Sequence, residues 1–205
     1  MKLSNKTVER VCRVFGYLKV LEDKGIAFVS SLDLAKAIGA TESTVRKDIS
    51  ILELTGFSRK GYDVMLLKKE LGVKLQLNKK RKACIVGLGR LGTALLDYEK
   101  FQEDGFEIVA GFDASINKIE RINTVIDVFA VDDLENVVAQ RKIELGIIAV
   151  PAQAAQGIAY KLVKSGVKGV LNFSPVKLIV PKNVMYLDMD FTSALRSIAA
   201  RMAVC

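Results

Sequence analysis

The sequence predicts an α/β chain in two parts: an N-terminal winged helix-turn-helix domain, then a doubly wound parallel sheet closed by a C-terminal helix. Three observations lead there. Two short helical patterns meet at a tight turn within the first sixty residues. A GxGxxG segment follows a short apolar burst near position 85. From that point apolar strand patterns alternate with helical ones.

The boundary is read from charge. The run Asn78-Lys79-Lys80-Arg81-Lys82 gives way at once to Ala83-Cys84-Ile85-Val86-Gly87. Residues 1–82 carry 18 Lys and Arg against 9 Asp and Glu, a net +9, whereas residues 83–205 carry 13 against 14, a net −1. A basic module joined to a neutral one implies a polyanionic partner for the first alone. The expected domains are therefore 1–82, 83–189 and a closing helix segment, 190–205. No apolar run is long enough for a membrane span, and the N-terminus lacks the apolar core of a signal peptide, so a cytoplasmic protein is expected. There is no His, and Cys12, Cys84 and Cys205 are far apart. Buried thiols are expected at Cys12 and Cys84, with no metal and no disulfide framework.

In the first domain Val8, Val11, Cys12, Phe15 and Leu18 recur at three and four residues, predicting an amphipathic helix ending near Gly25. Ser30 and Asp33 form a capping box for a second helix, to Ile38, stopped by Gly39. Thr41 caps a third, to about Leu54, closed by Gly56. This is helix-turn-helix spacing. On the third helix Val45, Ile49 and Leu52 share one face. Ser43, Lys47 and Ser50 lie opposite, with Arg46 on the flank. Lys and Arg can bond guanine, and hydroxyls such as Ser43, Thr44 and Ser50 can bond phosphate or base edges. Gly56–Tyr62 reads as a wing whose Arg59 and Lys60 meet phosphate. The competing reading is a three-helix bundle with an ordinary solvated basic face. A polar-apolar stretch runs on to Leu77.

In the second domain strands are expected at Ala83–Val86, Glu107–Phe112, Val125–Phe129, Leu145–Ala149, Val170–Asn172 and Val184–Leu187. Helices are expected at Leu91–Gln102, Leu134–Arg141, Ala152–Ser165 and Thr192–Val204. Gly87-Leu88-Gly89-Arg90-Leu91-Gly92 follows a strand and opens a helix, which is the context in which GxGxxG binds the pyrophosphate of a dinucleotide in a Rossmann fold. Asp113 stands 21 residues after the last glycine, where a carboxylate takes the ribose hydroxyls and repels a 2′-phosphate. NAD(H) is therefore the expected cofactor, ahead of NADP(H). Pro151 and Phe173 follow the fourth and fifth strands, at the ends that face a ligand crevice. No catalytic residue is assigned: the second domain is short and lacks His. A small NAD-dependent oxidoreductase and a CoA-binding protein remain as alternatives, the latter because this segment also resembles the CoA-binding domain of acyl-CoA synthetases.

Taken together, Val29-Ser30-Ser31, Leu34-Ala35, Val45-Arg46-Lys47-Asp48, Gly61-Tyr62-Asp63-Val64, Gly87–Gly92, Ala94–Tyr98, Phe112-Asp113, Ala149–Ala152 and Gly169–Val176 resemble the Rex family of redox-sensing repressors along nearly the whole chain. The resemblance implies a homodimer with an exchanged C-terminal helix that binds double-stranded operator DNA and leaves it when NADH binds. It also implies that Tyr98 and Asp190 link the nicotinamide site to the DNA-binding domain, with Phe191 near the nicotinamide. Lys19 stands where the family usually has Arg; a point charge replaces a bidentate fork. The approach to the wing, Leu52–Phe57, also departs from the family's aromatic- and glycine-rich pattern. On the residues alone, Tyr98 reads equally as a half-buried helix aromatic and Asp190 as the N-cap of the last helix.

Overall fold

The structure, a computed structural model, describes residues 3–55 and 57–204. Gly56, expected to close the third helix, and Cys205 lie outside the described residues. The chain divides between Lys79 and Lys80 into two compact units. No helix among the described residues is long and apolar enough to cross a membrane.

In the first unit Ser4 caps α1 (Asn5–Asp23) by accepting from the Thr7 amide at 3.1 Å. Its buried face is Val11, Val14, Leu18 and Leu21, rotated from the expected one. Cys12 is therefore exposed, not buried as expected, and Phe15 is half-buried. The expected stripe broke down because Val8, Cys12 and Phe15 form one apolar row while Val11, Val14 and Leu18 form another, and packing chose the second. β1 (Phe28–Val29) leads into α2 (Ser31–Ile38), capped by Ser30 and stopped by Gly39 at φ 67°. Thr41 caps α3 (Glu42–Ile51), which ends short of the expected Leu54. β2 (Phe57–Ser58) and β3 (Gly61–Asp63) form the wing, with strand order β1-β3-β2, all antiparallel. The stretch beyond it is α4 (Val64–Lys74), capped by Asp63. Its buried Val64, Leu67 and Leu71 recur at three and four residues, but the exposed Leu66 and Val73 blur that stripe in the sequence.

The second unit is built on six parallel strands, β4 (Arg81–Val86), β5 (Phe106–Asp113), β6 (Val128–Ala130), β7 (Leu145–Ile148), β8 (Gly169–Asn172) and β9 (Met185–Asp188). Their order is β6-β5-β4-β7-β8-β9. Val86 stands opposite both Phe112 and Ile148, so the chain winds outward from β4 in two directions. The crevice at the carboxyl ends of β4 and β7 is the topological switch point. Because β4 starts at Arg81, Lys80, Arg81 and Lys82 fall in this unit, and the net charge of residues 1–79 is +6 (15 against 9) rather than the +9 of residues 1–82.

One sheet face is covered by α8 (Leu134–Arg141) and α9 (Ala152–Lys164), whose Leu134, Val138, Ile158 and Leu162 pack on Cys84, Val86, Phe112 and Ile148. On the other face, the single expected helix 91–102 breaks at Asp97-Tyr98 into α5 (Arg90–Leu96) and α6 (Glu99–Glu103), which serve β4 and β5. A short α7 (Ile116–Ile119) follows β5. Residues 173–184, between β8 and β9, contain no helix, so among the described residues of this unit no crossover helix covers β7–β9 on that side. An apolar groove of about 480 Å³ remains there, bordered by Tyr98, Phe101, Leu171, Met185 and Leu187. The last helix, α10 (Phe191–Val204), has no buried residue.

Candidate functional site

The DNA-facing candidates lie in the first unit. Burial of Val45, Ile49 and Leu52 turns Ser43, Arg46, Lys47 and Ser50 outward, all exposed, while Thr44 is half-buried against its cap partner Thr41. The helix is anchored from behind: buried Asp48 accepts from Arg10 Nε at 2.7 Å and Nη2 at 2.8 Å, joining α3 to α1. Arg46 is held as well, with Nε donating to Ser31 Oγ at 3.0 Å and Nη2 to Glu42 Oε1 at 2.5 Å. Arg59 and Lys60 are exposed at the tip of the β2–β3 hairpin, and Lys60 Nζ lies 5.6 Å from the Phe28 ring centre. Gly61 closes that hairpin at φ 108°, and a Cβ there would sit 2.6 Å from the Val29 carbonyl oxygen.

In the second unit the glycine loop has the geometry its motif requires. Gly87 sits at φ 96° against the Ala149 carbonyl, and a Cβ on Gly92 would fall 1.9 Å from the Gly87 carbonyl oxygen. A Cβ on Gly89 would meet nothing within 4 Å. The amides of Gly89, Arg90 and Leu91 find no acceptor among the described residues. An open approach at Gly89 with free amides beside it fits a pyrophosphate. Leu88 is buried and Leu91 exposed. Asp113 is 6% exposed; its Oδ2 accepts from the Leu88 amide at 2.8 Å and its Oδ1 from the Ser115 amide at 2.9 Å. Each oxygen keeps a lone pair for a ribose hydroxyl. The sequence reading missed Lys118, whose Nζ is brought by α7 to 3.6 Å from Asp113 Oδ2.

Around the crevice, Pro151 is exposed and Phe173 half-buried. Phe173 meets Phe191, with ring centres 5.8 Å apart. Fully buried Asn172, another residue the motifs did not flag, ties the ends of β8 and β9: its Nδ2 donates to the Val176 carbonyl and to Asp188 Oδ1, both at 2.8 Å. Asp190 does cap α10, accepting from the Ser193 amide and hydroxyl, and these bonds hold its carboxyl below the usual range. Tyr98 is 52% exposed at the break before α6, not inside a helix, and packs edge-on against Phe101. Tyr98 borders the apolar groove, whereas Asp190 and Phe191 border a different cavity with Phe173. Lys19 is half-buried on α1, in the other unit. The glycine loop and Asp113 are thus brought together within the chain, as are Phe173 and Phe191; Tyr98 and Asp190 are not. Among the described residues no group of three or more Cys, Asp or Glu is placed to hold a metal ion.

A winged helix-turn-helix unit carried with a dinucleotide-type Rossmann unit defines a DNA-binding regulator with its own nucleotide domain. Family models described as "Putative DNA-binding protein N-terminus" and "CoA binding domain" match residues 2–50 and 78–176. The redox-sensing transcriptional repressor Rex of Carboxydothermus hydrogenoformans is 42% identical over 93% of this chain and 92% of that protein; Rex of Desulforamulus reducens is 35% identical over 100% and 97%. The chain belongs to the Rex family of redox-sensing transcriptional repressors. Crystal structures of RSP, a Rex-family repressor, share 30% identity over 98% of this chain. The complex with β-NADH has a TM-score of 0.86 and covers 95% of that chain; the complex with β-NAD⁺ and operator DNA has 0.84 and covers 93%.

Proposed function

We propose that this chain is a cytoplasmic, homodimeric repressor that binds double-stranded operator DNA through its first unit and releases it when its second unit takes up NADH. The observation that carries this reading is the conjunction, in one Rex-family chain, of the exposed polar face of α3 with the Gly87–Gly92 loop closed against Asp113. RSP, bound to NADH in one structure and to NAD⁺ with operator DNA in another, supports it. Lys47, Arg46, Ser43, Thr44 and Ser50 read the groove, and Arg59 and Lys60 contact phosphate. Gly87, Leu88, Gly89, Arg90, Leu91, Gly92 and Asp113 hold pyrophosphate and ribose, with Pro151 and Phe173 at the nicotinamide end. The cofactor supplies the redox signal through the charge of its nicotinamide ring; the protein supplies the discrimination. Phe173 and Phe191 form an apolar wall suited to the neutral ring, and Asp190 is a carboxylate that a positive ring would attract.

A second copy of the chain is the occupant proposed for the uncovered sheet face. Met185 and Leu187 on that face are half-exposed or more, and so are Leu195, Ile198 and Met202 on α10, apolar side chains that a partner would cover. Tyr98 borders the groove, where closure of a dimer would be felt.

The test is DNA affinity by fluorescence anisotropy, with and without saturating NADH. Ligands that favour opposed states must weaken one another reciprocally, by roughly 5–150-fold in systems of this kind. Tyr98→Phe and Asp190→Asn should keep NADH binding and lose much of its effect on DNA. Asn is the informative replacement at 190, because it can still cap α10 while lacking the charge. Equal DNA affinity of the parent in both conditions refutes the sensor reading. Stabilisation by CoA rather than NADH in thermal denaturation would favour the CoA-binding alternative.

A further inference from the structure

Ser31, Glu42 and Arg46 meet at one point on the DNA-facing surface, although they come from two helices. Ser31 opens α2 and is only 4% exposed. Its hydroxyl donates to Glu42 Oε1 at 2.7 Å and accepts from Arg46 Nε at 3.0 Å, while Arg46 Nη2 donates to the same Glu42 oxygen at 2.5 Å. Each member contacts the other two. Hydrogen bonding to Ser31, reinforced by the Arg46 charge, holds the Glu42 carboxyl below its usual range.

Two features of this triangle are unexpected on a surface for a polyanion. A carboxylate in the first turn of a recognition helix repels phosphate, so it works against general DNA affinity. It also spends part of a cation that phosphate would otherwise attract. Both make sense if the arrangement serves discrimination. An arginine has five N–H donors in a rigid planar fork. Nε and one Nη2 hydrogen are used inward, which leaves the two Nη1 hydrogens and the other Nη2 hydrogen at the outer end of a side chain that is 61% exposed. A free arginine would lose the entropy of several rotors on docking to a base edge; one already held loses less.

We propose that Glu42 and Ser31 are positioning residues that determine sequence specificity by presenting the Arg46 fork in a fixed orientation, at some expense in general affinity. The inference rests on the reading of α3 as the recognition helix.

The test uses the full chain, a duplex selected from a random-sequence library by that chain, and a mixed-sequence duplex of the same length, with affinities measured by competition anisotropy. The readout is the ratio of the two affinities, which a uniform loss of folded protein does not move. Glu42→Ala should lower that ratio roughly five- to tenfold, within the range one good base contact supplies, while mixed-sequence affinity stays equal or rises. Glu42→Gln should fall between, since its amide oxygen still accepts but carries no charge. Arg46→Ala should lower the ratio at least as much, and Glu42→Ala combined with Arg46→Ala should be no worse than Arg46→Ala alone. An unchanged ratio in Glu42→Ala beside a lowered one in Arg46→Ala would overturn the buttress and leave the recognition helix standing. Losses that multiply in the double variant would also overturn it. If neither Arg46→Ala nor Lys47→Ala changes the ratio, the recognition-helix reading fails and takes this inference with it.

Discussion

At the scale of single residues, the proposed ribose site at Asp113 is where sequence and structure differ most usefully. Asp113 was legible from spacing, because it ends a strand pattern 21 residues after the last glycine of the loop. Lys118 was not, because only the turn of α7 brings it back to 3.6 Å from that carboxylate. The pair sharpens the expectation for cofactor choice. With Asp113 in place, NADH should stabilise the protein against heat far more than NADPH. In Asp113→Ser the lysine loses its counter-ion and becomes available to a 2′-phosphate, so the gap should close or reverse. Equal stabilisation of the parent by both nucleotides would remove the ribose assignment. At Gly61, φ 108° and the 2.6 Å approach to Val29 both forbid a side chain. Gly61→Ala should destabilise the first unit by about 1–3 kcal/mol, visible in its melting midpoint, and weaken operator binding by displacing Arg59 and Lys60. Lys47→Ala should cost about 1–3 kcal/mol of discrimination between operator and other sequences; an unchanged operator preference would count against its base contact.

At the scale of elements, caps were the most readable features. Ser30, Thr41 and Gly39 each do at their helix end what the sequence suggests. Element type at the parallel strands was equally readable, because buried strands are continuous apolar runs. Three things were hidden. The face of α1 was ambiguous between two apolar rows, the stripe of α4 is blurred by the exposed Leu66 and Val73, and the α5–α6 break at Asp97-Tyr98 has no glycine or proline to announce it. The Arg10–Asp48 pair could not be read either, since its partners lie 38 positions apart. It joins α1 to α3, with Asp48 buried and Arg10 about a quarter exposed. Asp48→Ala should cost about 2–3 kcal/mol, below a fully buried pair because water reaches the guanidinium, and a chemical denaturation series measures it. For α10, removal of the chain after Asp190 should give monomers. A truncated protein that stays folded and dimeric by light scattering would assign the interface elsewhere.

At the scale of the whole molecule, the charge is less polarised than the raw boundary suggests, since the first unit carries +6 rather than +9. Salt dependence of DNA binding should therefore follow the phosphate contacts of particular side chains rather than the net charge. Arg59→Ala should reduce the slope of log affinity against log salt by about 0.9 if it meets one phosphate. The uncovered face of β7–β9 has a consequence of a different kind. If a second copy finishes that side, as proposed above, the stability of the sheet depends on how many copies are present, because whatever binds the folded form alone stabilises it by mass action. The melting midpoint should then climb as the protein is concentrated, and a midpoint independent of concentration would argue against a partner on that face. In a cell the same dependence would set a dosage floor: below a certain copy number, dilution alone would disarm the regulator, whatever the state of its cofactor.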